Sequence, residues 1–150
     1  EVNPEFSLNK AFGDQITLLG YDIDSGQQLA VSRQPSAENQ QPNQQTNFTI
    51  TLYWRADTVP TTDYTVFLHL RDAANQNVAQ KDSPPVGGQY PTSLWDPGEI
   101  IKDVLTLPLD DVPPGRYTPV IGLYNFATGD RLPTENPANE IALKEIEIGD

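Results

Sequence analysis

Residues 47 to 56 read "NFTITLYWRA", and their alternation decides the fold. Phe48, Ile50, Leu52 and Trp54 fall on one side of an extended chain, and Thr49, Thr51, Tyr53 and Arg55 on the other. A period of two marks a half-buried β-strand, because successive side chains of a pleated strand point to opposite faces. "DYTVFLHLRD" (63–72) repeats the pattern with Tyr64, Val66, Leu68 and Leu70 aligned. "GEIIKDVLTLPL" (98–109), "GRYTPVIGLYN" (115–125) and "EIALKEIEIGD" (140–150) follow, and "DQITLLGYDID" (14–24) reads as an opening strand. In the last run the apolar phase slips between Leu143 and Ile146, which predicts a bulge.

The joints between these runs are "DTVPTTD", "DAANQN", "DSPPVGG", "DDVPPG" and "ATGD". Asp, Asn, Pro and Gly supply the preset or positive φ angles that tight turns need. No stretch has a capped helical period. Seven or eight short strands punctuated in this way predict an all-β fold, an immunoglobulin-like antiparallel β-sandwich. "DDVPPGRYTPV" sets Tyr117 just after a Pro-Pro-Gly turn, where such sandwiches form a tyrosine corner. Pro119 takes the place of the antibody-type cysteine and has no ladder donor, which predicts a bulge or an edge-facing position.

The 150 residues suit a single domain, 1–150, with no internal repeat. Gln, Asn and Pro dominate the second half of "QQLAVSRQPSAENQQPNQQT" (27–46). The expectation is a short strand over Leu29 to Arg33 and a flexible loop over about 35–46, too poor in apolar residues to order itself. The chain begins at Glu1 and contains no Met, as a segment of a longer protein would. No apolar run approaches the ~20 residues that span a bilayer, and no signal-peptide pattern is present.

A net charge of -12 repels nucleic acid and anionic lipid, so neither is an expected partner. The absence of Cys removes disulfides, thiolate metal sites and a cysteine nucleophile. His69, the single histidine, lies inside a strand between Leu68 and Leu70, where it reads as a packed or surface side chain rather than a base. There is no Gly-x-Ser-x-Gly turn. "DIDSG" at Asp22 begins like a calcium loop, but its glycine comes one place early and Arg33 stands where the bidentate Glu belongs. A turn at Asp24, Ser25 and Gly26 accounts for it. Asn47-Phe48-Thr49 fits a glycosylation sequon but falls inside a predicted strand. Asp82, Asp96, Glu99, Asp103, Asp110 and Asp111 all read as near turns or strand ends, and glycoside hydrolysis would need two of them facing across a cleft. The expectation is no catalytic residue, no metal and no cofactor.

The aromatic candidates for ligand binding are Tyr90, Trp95 and Asp96 in "GGQYPTSLWDPGE" (87–99). Flat rings stack on sugar faces, and acids take hydroxyls. The competing reading folds Trp95 inward, since burying a Trp removes ~150–250 Å² from water and its N–H needs only one carbonyl.

"FGDQITLLGYDID", "FTITLYWRA", "DYTVFLHLRD", "VAQKDSPP", "YPTSLWDPGEIIKDVLTLPL" and "PPGRYTPVIGLYNFATGDRLP" occur in this order over about residues 12 to 134. Together they resemble a β-sandwich domain near the C-terminus of bacterial polytopic membrane proteins. Those proteins look like glycosyltransferases using lipid-linked sugar donors, related to the mannosyltransferase and aminoarabinose-transferase families. The resemblance implies a non-catalytic accessory domain on the outer side of the membrane, soluble by itself and attached to a membrane-embedded parent. It would present or recognise a glycan or another cell-envelope component. It carries over no binding residue, and it favours Trp95 as a structural plug. Relatives tend to have a Pro-Gly-Asp turn before "LYWRA", where this chain reads Gln44-Gln45-Thr46. The alternatives are a free-standing carbohydrate-binding module and a small acidic glycoside hydrolase.

Overall fold

The structure, a computed structural model, describes residues 4–24 and 47–148. The strand and loop expected over 29–33 and 35–46, and Ser25 and Gly26 of the "DIDSG" turn, lie outside the described residues. Among the described residues nine strands follow in chain order: β1 (Phe6–Phe12), β2 (Ile16–Asp24), β3 (Asn47–Ala56), β4 (Tyr64–Arg71), β5 (Asn77–Ser83), β6 (Ile100–Pro108), β7 (Gly115–Asn125), β8 (Ile141–Ala142) and β9 (Ile146–Ile148). They form two antiparallel sheets, one ordered β1-β2-β3-β6 and the other β5-β4-β7-β8, with β9 also pairing with β7. The chain is an all-β sandwich, as the alternation predicts.

The interior is filled by every second residue of the facing strands. Phe48, Ile50, Leu52 and Trp54 of β3 meet Val66, Leu68 and Leu70 of β4 and Ile121 and Leu123 of β7, all at 2% exposure or less. At ~25 cal/mol per Å² of apolar surface, this burial is the main force holding the sheets together. Phe12 meets Trp54 edge to face at 5.4 Å between centroids.

Two strands carried too weak a pattern to be read. In β1, Phe6, Leu8 and Lys10 are only half-buried. In β5, "NVAQKDS" is largely exposed, as an edge strand can be, so no alternation marks it. The predicted phase slip falls where β8 ends and β9 begins: Ile141 and Leu143 are buried, then Ile148.

That interruption accommodates Pro119. Its carbonyl accepts the Leu143 N–H at 2.8 Å, so its nitrogen faces the same side, where residues 143–145 break the ladder. The next amide, Lys144, donates instead across the sandwich to the Tyr21 hydroxyl of β2 at 3.0 Å. The tyrosine corner forms as predicted, with Tyr117 Oη donating to the Pro113 carbonyl at 2.6 Å.

Asp103 departs from the expected placement near a strand end. It lies inside β6 on the buried side, alternating with Ile101 and Leu105, and is 2% exposed. A buried carboxylate persists only with hydrogen-bond donors. Val86 N–H donates to one oxygen at 2.8 Å and Trp54 Nε1 to the other at 3.3 Å. Val86 has φ 55°, unusual for a β-branched residue, and the buried acid holds it there. Burial pushes the Asp103 carboxyl up, and the two donors pull it back in part.

Tyr117→Phe removes the corner bond and is expected to cost about 1 kcal/mol of unfolding free energy, measured by urea titration.

Candidate functional site

Of the three predicted ligand residues, Trp95 is withdrawn from the surface. Its side chain is fully buried in the core, and Nε1 donates to the Tyr90 carbonyl at 3.0 Å. A ring with no exposed face offers nothing for a sugar to stack on, so the platform reading of Trp95 is corrected to a plug. The turn around it is pinned by Thr92, whose hydroxyl donates to Thr62 O at 2.7 Å and accepts the Tyr64 N–H at 3.0 Å. Tyr90 is half-buried, its hydroxyl 2.8 Å from both oxygens of Glu99, and the N–H of exposed Asp96 donates to Glu99 at 2.9 Å. Glu99 thus organises this turn internally.

A different constellation covers the outer face of the β5-β4-β7-β8 sheet. On β4, Thr65, Phe67, His69 and Arg71 alternate with the core residues and so point outward. Opposite Phe67 lies Gly122 of β7, and the far edge of the phenyl ring occupies the space a Cβ there would need. Glycine is required by close approach. Phe67 is only 2% exposed because neighbours cover it. Arg131 places its guanidinium carbon 4.3 Å above the ring, His69 lies 4.6 Å away, and Tyr124 6.3 Å away. Tyr124 then leads to Phe126, also 6.3 Å between centroids and 75% exposed. An exposed aromatic beside a half-exposed one is the open part of this surface.

Charged groups frame it. Glu140 takes both terminal nitrogens of Arg71, at 2.6 and 3.0 Å, and Arg131 Nη1 at 3.1 Å. The paired, bidentate geometry makes this a strong charge-assisted bridge. Arg71 holds the Glu140 carboxyl below its ordinary range, with help from Arg131 and against partial burial. Tyr124 Oη donates to Asp82 Oδ2 at 2.7 Å, and burial together with that carboxylate pushes the phenol up to about 12. His69 Nδ1 lies 3.3 Å from Arg71 Nη2 and 3.4 Å from Asn77 Nδ2, so it acts as an acceptor. Burial, then Arg71 and Arg131, lower its pKa and keep it neutral near pH 7.

The remaining motifs are engaged locally. Asp22 accepts from Tyr53 Oη and from Glu5 N–H, each at 2.6 Å. Asn47 opens β3 opposite Pro108. Among the described residues, no three His, Asp or Glu side chains gather as a metal site would require, and no helix is long and apolar enough to cross a membrane.

The sequence reading missed Phe67, Tyr124, Phe126 and Arg131. Phe126 follows "GLYN" directly, and an apolar residue inside the turn "NFATGD" was the available signal.

No family model and no curated protein matches the chain. Among solved structures, the crystal structure of the C-terminal domain of wzt is similar: TM-score 0.58, 14% identity, covering 97% of this chain and 85% of that one. At that identity the likeness shows a shared fold.

Two outcomes test this description. Trp95→Ala is expected to destabilise the domain by about 3–5 kcal/mol in denaturant titration, as large-to-small core changes do. Glu140→Gln is expected to cost on the order of 2 kcal/mol at neutral pH, between the exposed and buried ion-pair ranges. The Glu140 carboxyl is depressed in the folded state, so its contribution is present above the unfolded-state pKa. It is lost as pH falls through the folded value, and the two proteins should converge in stability below the ordinary glutamate range.

Proposed function

We propose that this chain is a non-catalytic glycan-recognising β-sandwich. In this reading it is an accessory module of a larger membrane protein, exposed on the outer side of the cell membrane. The carrying observation is the Tyr124–Phe126 pair, open to solvent beside the Asp82 carboxylate and the Arg131 guanidinium. Sugar recognition needs this combination: a flat apolar surface for the ring and fixed polar groups for the hydroxyls.

The attachment to a glycosyltransferase-like parent rests on the six sequence blocks over about residues 12 to 134. The fold shared with the C-terminal domain of wzt supports an appended sandwich domain of this size, while fold alone assigns no ligand. The non-catalytic reading is supported by His69, which is neutral, covered and held as an acceptor.

A glycan array followed by calorimetric titration of the best binder tests the proposal. Phe126 is exposed, so Phe126→Ala should leave stability within about 0.5 kcal/mol. The same variant should weaken binding at least about tenfold, equivalent to ~1.4 kcal/mol. Glycan binding that survives Phe126→Ala and Tyr124→Ala undiminished would place the site elsewhere, and cleavage of chromogenic glycosides would rule out the non-catalytic role.

A further inference from the structure

The charges around the Tyr124–Phe126 surface have a definite balance. Among the described residues, the cations beside this surface are Arg71 and Arg131, and both already bind Glu140; Arg116, at the far end of the outer face of β7, lies 3.6 Å from Glu145. Arg71 spends two nitrogens on Glu140, and its Nε donates to Asn77 at 2.9 Å. Arg131 Nη1 is further shared with the Ala138 carbonyl at 3.0 Å, and its plane is occupied by Phe67. Lys81 pairs with Leu68 in the ladder, so its side chain starts from the opposite face of the sheet. Against these two guanidinium groups stand three carboxylates: Glu140, Asp82 beside Tyr124, and Asp130 in the same turn as Phe126.

Among the described residues, a carboxylated or sulfated saccharide stacked on Phe126 and Tyr124 would meet the Asp82 carboxylate with no uncommitted cation beside it. The whole chain, at -12, adds a repulsive field at longer range. A hydroxyl, by contrast, is a donor that suits the carboxylate of Asp82, which retains acceptor capacity after taking the Tyr124 proton. From this we infer that the site takes an uncharged glycan. Its pyranose stacks on Phe126 and Tyr124 and donates a hydroxyl to Asp82. The inference rests on the glycan-binding reading and names its ligand class.

Affinity electrophoresis and calorimetry on the 150-residue chain can test it, with neutral polysaccharides (a glucan, a mannan and a galactan) and acidic ones (polygalacturonate and alginate). The expected result is binding to at least one neutral polymer, lost in Phe126→Ala, with affinity changing less than about twofold between low and high salt. Retention of the acidic polymers alone, weakening as salt rises, would overturn the uncharged-ligand inference and leave the glycan reading standing. Failure of every polymer to bind would overturn both. So would concentration-dependent self-association abolished by Phe126→Ala, since the surface would then join copies of this chain.

Discussion

The antiparallel pairing of β4 with β7 runs unbroken from Tyr64 opposite Asn125 to Arg71 opposite Thr118, and both halves of the molecule depend on that register. Its inward residues, Val66, Leu68, Leu70, Ile121 and Leu123, form one wall of the core. Its outward residues, Phe67, His69, Arg71, Gly122 and Tyr124, build the polar-aromatic surface. A slip by one residue would exchange the two sets, exposing the core wall and burying Arg71. Gly122 adds a second lock. Only where it faces Phe67 can the phenyl ring lie against the backbone, and the ring is then the floor on which Arg131 and Tyr124 rest.

The interior holds its few polar groups by giving each a partner. Asp103 faces Trp54 and the Val86 amide, Tyr117 faces the Pro113 carbonyl, and Tyr21 crosses to the Lys144 amide of the opposite layer. These bonds contribute only about 1 kcal/mol each net, but an unmet buried donor or acceptor would cost more than a made one gains. They fix the joints that hydrophobic burial leaves free: the β5–β6 turn, the approach to β7, and the break between β8 and β9. Trp95 belongs to the same logic. One carbonyl satisfies its N–H, after which its whole ring adds to the core.

The outer surface obeys a different balance. Arg71, Arg131 and Glu140 are too polar to seal the core but are only partly wet; Arg131 covers Phe67, and Glu140 pairs with both guanidinium groups. The same shielding lowers the His69 pKa and raises that of Tyr124, so neither group changes charge near neutral pH. What remains open is Phe126 with the flank of Tyr124, a small surface suited to stacking.

Much of this was legible along the chain. Alternation in "NFTITLYWRA" and "DYTVFLHLRD", the Pro-Pro-Gly turn before Tyr117 and the phase slip after Leu143 marked the layers, the corner and the interruption that separates β8 from β9, since each depends on neighbours a few residues apart. β5 was silent because an edge strand with both faces wet imposes no pattern. Trp95 could be drawn toward a platform because a tryptophan in a turn has two possible destinations, and only the space left between the closed sheets selects one. Asp103 and the Phe126 surface were hidden for the same reason: their partners lie 17 to 49 residues away for Asp103 and on other strands for Tyr124. Local periodicity therefore determined that two sheets form and which faces meet. Which aromatic is enclosed, which is left in water and which charges neutralise one another was decided by contacts distant in sequence, whose geometry exists only after the sheets have closed.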